Sequence, residues 1–114
     1  MVVDDDETSR MLLNAQIKPF ASDFFQASTG YDAIETCRKN PDIDHILMVI
    51  NMPGLDGYEA TRKIREFNKE VIIIAQTAFA FSDDKEKAIE AGCNDYIAKA
   101  IKRKALIVLI ESYF

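Results

Sequence analysis

Short apolar runs of β-type composition alternate five times with amphipathic stretches of helical period, the pattern of a βαβα chain with a parallel sheet. Met1 to Val3 is an apolar stub that leads into Asp4-Asp5-Asp6-Glu7 and a helical stretch. In that stretch Met11, Leu12 and Ala15, with Leu13 as a further candidate, are expected to face inward. A second strand is expected over Asp23 to Gln26, followed by a helix capped by Thr29, carrying Ala33, Ile34 and Cys37 on its inner face and stopped by Pro41. Ile46 to Ile50 is a continuous apolar run, the form of a central parallel strand covered on both faces, and Asn51-Met52-Pro53-Gly54 ends it.

Asp56 is positioned to cap a third helix in which Ala60, Ile64 and Phe67 share a face and Glu59 and Lys63 form an exposed pair. Val71 to Ala75 is a second buried run that gives way to Gln76-Thr77-Ala78. Ser82 suits an N-cap with Asp83 and Asp84 in the first turn, and Gly92 suits the end of that fourth helix. A fifth strand spans Asp95 to Ala98, before Lys99. Ala105, Leu106, Leu109, Ile110 and Tyr113 mark the inner face of a last helix whose start carries Lys102, Arg103 and Lys104.

Length and charge narrow the function classes. A chain of 114 residues without a linker or repeat implies one domain over 1–114, and 48% apolar with 29% charged residues excludes disorder as its main state. A net charge of -5 disfavours nucleic acid and anionic membranes as partners. The longest apolar run, Ala105 to Ile110, is too short to span a bilayer, and no export signal leads the chain, so a soluble cytoplasmic protein is expected. Cys37 and Cys93 lack metal-ligand spacing and read as reduced structural thiols. His45 reads as a surface residue at the start of a strand.

In a doubly wound sheet, ligands bind beyond the carboxyl ends of the strands. The residues there are Asp4, Asp5 and Asp6 after the first run, Asn51 after the third, Thr77 after the fourth and Lys99 after the fifth. Hard carboxylate oxygens suit Mg²⁺, and a hydroxyl with an ammonium suits phosphoryl oxygens. Adjacent acids repel, and they persist most readily where a cation compensates them.

These residues carry a resemblance. Val2-Val3-Asp4-Asp5 with Glu7-Thr8, Ile46-Leu47-Met48 through Met52-Pro53-Gly54-Leu55-Asp56-Gly57-Tyr58-Glu59, Thr77-Ala78, and Gly92-Cys93-Asn94-Asp95-Tyr96-Ile97 before Lys99 together resemble the response regulator receiver domain of two-component phosphorelay signalling. The resemblance covers the chain and implies a flavodoxin-like (βα)5 three-layer sandwich with a five-stranded parallel sheet in the order 2-1-3-4-5. It implies Asp4, Asp5 and the Asn51 carbonyl as the Mg²⁺ site, Thr77 and Lys99 as phosphoryl-binding residues, and Tyr96 as the switch aromatic. The implied partners are a histidine kinase or histidine phosphotransfer protein, an output domain or kinase core in the same parent chain, and optionally a second copy.

Two positions depart from the family pattern. The phosphoacceptor aspartate lies three residues before the Met of Met-Pro, and that position is Val49. Asp44 and Asp56 flank the segment too far away to replace it. Val49 is expected just past the buried strand, at a solvated edge. Ala100 stands where a proline usually follows the lysine, and a trans peptide is expected there. The expectation is therefore a pseudo-receiver, weak or empty for Mg²⁺, that is not an enzyme and acts by protein–protein interaction. An alternative is a haloacid-dehalogenase-type Mg-dependent phosphatase using Asp4 and Asp6, with Thr77 and Lys99 as later motif residues, although a fourth acidic motif is missing. A flavin mononucleotide binder lacks the hydroxyl-rich phosphate loop.

Overall fold

A computed structural model describes residues 1–17, 25–50, 52, 54–77 and 84–98. Its elements alternate along the chain: β1 (Val2–Val3), α1 (Glu7–Ile17), β2 (Gln26–Ala27), α2 (Gly30–Lys39), β3 (His45–Val49), α3 (Gly57–Arg65), β4 (Ile72–Thr77), α4 (Asp84–Ala91) and β5 (Asp95–Ala98). All strand pairs are parallel, in the order β2-β1-β3-β4-β5, as the flavodoxin-like expectation requires.

The β-branched residues Ile72 to Ile74 favour extended backbone, and alternation sends successive side chains to opposite faces. Ile46, Met48, Ile73 and Ala75 join Ala33, Cys37, Ala60 and Ile64 of α2 and α3 in one buried cluster. Val2, Leu47 and Ile74, in register across three strands, are buried on the other face. Each large side chain so buried contributes about 1.5–3 kcal/mol relative to exposure. The caps fall where expected: Thr29 Oγ1 accepts from the Asp32 N–H at 3.0 Å, Asp56 Oδ1 from the Glu59 N–H at 2.9 Å, and Gly92 ends α4 at φ 114°.

Several details differ from the expectations. Met11 and Leu12 are 63% and 60% exposed and Ala15 is exposed too, so this apolar stripe of α1 faces outward. The cause is Arg10, whose Nη1 donates to the Asp4 carbonyl at 2.8 Å and whose Nε donates to Gln26 Oε1 at 3.3 Å. Anchoring this side of the helix to β1 and β2 turns the next residues away. β2 lies at Gln26–Ala27, later than the Phe-containing segment suggested, with Phe25 partly buried just before it. Phe67 lies past the end of α3, 40% exposed under the Arg38 guanidinium. Glu59 pairs with Arg62, 2.6 Å away at i,i+3, rather than with Lys63. His45 is half-buried, and that burial lowers its pKa below the ordinary 6.5. Ser82, Asp83 and the expected last helix lie outside the described residues.

Candidate functional site

The strand ends set Asp4, Asp5, Val49 and Thr77 at one edge of the sheet. Asp4 follows β1 directly and continues its ladder, its N–H donating to the Ala27 carbonyl at 3.0 Å. Its side chain is 0% exposed, and Oδ1 accepts from the Asp6 N–H at 2.9 Å, a local turn that short acidic side chains favour. Asp5 is exposed beside it. Asp6 does structural work: Oδ1 accepts from the Thr8 N–H at 3.2 Å, Oδ2 from the Ser9 hydroxyl at 2.9 Å, and its carbonyl from the Arg10 N–H at 3.0 Å. It is the N-cap of α1. The acid that a phosphatase reading needs is therefore committed to holding a helix.

Val49 is the last residue of β3, 5% exposed and part of the apolar cluster. It was expected at a solvated edge but is buried, and two backbone contacts hold the chain just beyond it. The Gly57 N–H donates to the Ile50 carbonyl at 2.9 Å and the Ile50 N–H to the Gln76 carbonyl at 3.0 Å. The start of α3 approaches so closely that a Cβ on Gly57 would collide with the Val49 carbonyl and lie 2.8 Å from Ile50 Cα. Asp56 caps this helix and Asp44 sits at the opposite end of β3, where its carbonyl accepts from the Ile72 N–H, so neither reaches position 49.

Thr77 ends β4, and Tyr96 lies in β5 opposite Ala75, partly buried against the core. Asn51, Lys99 and Ala100 fall outside the described residues. Among the described residues no three His, Cys, Asp or Glu side chains form a group that could hold a metal. Asp4 and Asp5 supply carboxylates, Val49 supplies no oxygen, and this donor set fits poorly an octahedral cation that needs hard oxygens on several sides. The thiols stand apart from the pocket: burial raises Cys37 to about 11 and raises Cys93 as well, and both are free and buried.

A sheet in this order with acids, Thr77 and the Met52–Asp56 loop at one edge agrees with the comparison to known families, where the response regulator receiver domain model matches residues 1–111. The chain belongs to that family. A receiver domain is a signalling domain rather than a catalytic enzyme, and the family binds Mg²⁺. This receiver domain is 33% identical over 120 residues to the hybrid signal transduction histidine kinase L of Dictyostelium discoideum, covering 99% of the chain and 7% of that protein. The chain spans 7% to 12% of the length of the first curated relatives it matches.

Among solved structures, it is similar to the receiver domain of Ssk1 co-crystallised with the histidine phosphotransfer protein Ypd1 of Saccharomyces cerevisiae. That match has 29% identity and TM-score 0.90, covering 98% of this chain and 85% of that one. The CheX-CheY-BeF3-Mg+2 complex of Borrelia burgdorferi shares the fold at 23% identity and TM-score 0.92, covering 99% and 86%. Among the described residues, no helix of this receiver is long and apolar enough to cross a membrane.

Two residues were not anticipated from the sequence. Arg65 joins α3 to the α4–β5 turn, with Nε donating to the Gly92 carbonyl at 2.8 Å and Nη2 to Asn94 Oδ1 at 2.8 Å, while the same Oδ1 accepts from the Ile73 N–H. Gln76, expected to leave the strand, lies inside β4 beside Val49. A polar residue ending a run of three isoleucines and an alanine was the available signal for it.

Proposed function

We propose that this receiver domain, spanning 1–114, belongs to a response regulator or hybrid sensor kinase, does not take a phosphoryl group at position 49, and acts through protein–protein contacts. The observation that carries this reading is Val49 itself, an apolar side chain buried at the end of β3, at the position that the motif spacing gives to the family's acceptor. It has no nucleophile and no metal-ligating oxygen. Asp4, Asp5 and the Asn51 carbonyl are what remains of a Mg²⁺ site with weak or absent affinity. Thr77 and Lys99 are the residues that would receive phosphoryl oxygens, and Tyr96 is the switch aromatic.

The relatives named as histidine kinases, one of them a hybrid, and the structure named as a complex with a phosphotransfer protein support a partner of the histidine kinase or histidine phosphotransfer class; a cytoplasmic setting is part of the same proposal. A kinase core or output domain in the same parent chain is consistent with the small share of those relatives that the chain covers.

Acetyl phosphate with Mg²⁺, followed by intact mass measurement, tests this reading. The protein as given stays unmodified, and Val49→Asp gains one phosphate adduct that EDTA abolishes. An adduct on the unaltered protein overturns the proposal, because another residue would then be the acceptor.

A further inference from the structure

Gln76 and Val49 are partners in the β3–β4 ladder, so their side chains leave the same face of the sheet at neighbouring strand positions, about 4.8 Å apart. Continuing the β1–β3 register by one residue sets Asp4 on the other side of Val49. The row thus reads acid, valine, glutamine, and all three side chains are buried, Gln76 at 3% exposure. The Cα atoms of Asp4 and Gln76 are two strand spacings apart, about 10 Å, with the valine between them.

Gln76 Oε1 is buried with no hydrogen-bond partner among the described residues. A buried amide oxygen in that condition is destabilising, and strands seldom carry one without a compensating neighbour. The ladder partner Val49 offers only methyl groups, yet it occupies the position in the row that the resemblance gives to the phosphoacceptor carboxylate. One account covers both oddities. A carboxylate at position 49 would accept from the Gln76 amide after a simple turn of the carboxamide, which presents Nε2–H in place of Oε1.

We infer that Gln76 is a positioning residue for the group at position 49: its amide is matched to a carboxylate there and is left unmatched by valine. This rests on reading position 49 as the acceptor position, but its test reads stability and side-chain titration rather than phosphorylation. Failure here therefore leaves the acetyl phosphate result standing, and the reverse holds as well.

The test is a double-mutant cycle on the full chain between position 49 and Gln76→Met, a substitution close to Gln in volume. In the Val49 background, Gln76→Met removes the unmatched amide and raises the melting temperature by about 4 °C. In the Val49→Asp background the same substitution removes a matched donor and lowers it. A shift of the same sign and size in both backgrounds overturns the inference, since a residue with a merely structural role responds alike in each. If Val49→Asp does not fold, Val49→Asn, which also offers an accepting oxygen, carries the cycle with the same two outcomes. As a second readout, the carboxyl group introduced by Val49→Asp, followed by ¹³C NMR, titrates at higher pH once Gln76→Met is added, because a donor to the charged form has been lost. An unchanged midpoint overturns the pairing.

Discussion

Val49 and His45 lie at opposite ends of one strand, and each shows what burial does to a single side chain. At Val49 the side chain is buried at the strand end, so placing an acid there puts a charge among buried groups near Asp4, at a cost in stability that Mg²⁺ would offset. At His45 burial favours the neutral imidazole and lowers the pKa from 6.5. The unfolded chain then binds the proton more readily than the folded one. Stability from this group is complete above about pH 6.5 and declines as pH falls below it. Urea unfolding at pH 7.5 and 5.5 should show a smaller loss for His45→Gln than for the parent protein. Equal losses would show that groups other than His45, among them the buried Met1 amino group lowered to about 6, set the slope.

Element by element, the fold depends on a few close approaches. Gly57 lets the first turn of α3 rest on the backbone at Val49 and Ile50, and a methyl group there meets backbone atoms that have no rotamer to yield. Gly57→Ala should cost about 2–3 kcal/mol in denaturant unfolding, and in the Val49→Asp protein it should also reduce the acetyl phosphate adduct. At the far end of the sheet, Arg65 uses its guanidinium fork to hold the Gly92 carbonyl and Asn94 Oδ1. Arg65→Ala should cost about 2 kcal/mol and speed hydrogen exchange at Asn94, while Arg65→Lys restores part of the loss because an ammonium cannot reproduce the fork. Unchanged exchange at Asn94 would show that its own N–H···O bond to Ile73, 2.7 Å, suffices.

For the whole molecule, the proposal that position 49 takes no phosphoryl group predicts that partner recognition does not depend on a phosphoryl switch. Binding to a histidine phosphotransfer domain, measured by calorimetry, should give the same Kd with and without acetyl phosphate and Mg²⁺. A tenfold tightening, about 1.4 kcal/mol, would show that the switch survives.

Read from the sequence alone, the five-fold alternation, the strand order implied by the family motifs, the caps at Thr29 and Asp56, the left-handed Gly92 and the β5 span were all legible. The strand order came from the resemblance; each of the others depends on local periodicity or on a residue type suited to a cap or a left-handed turn. The strand-end position of Asp4, Val49 and Thr77 was legible as well, because the carboxyl edge of a parallel sheet follows from topology. Which face of α1 meets the sheet was not: periodicity gives a stripe at Met11, Leu12 and Ala15 but no direction, and the Arg10 bonds to Asp4 and Gln26 chose it. The burial of Val49, the helix-capping role of Asp6 and the buried amide of Gln76 were likewise settled by tertiary structure. Each depends on a neighbour distant in sequence or on the path of the following turn, and hydrophobic pattern carries neither kind of information.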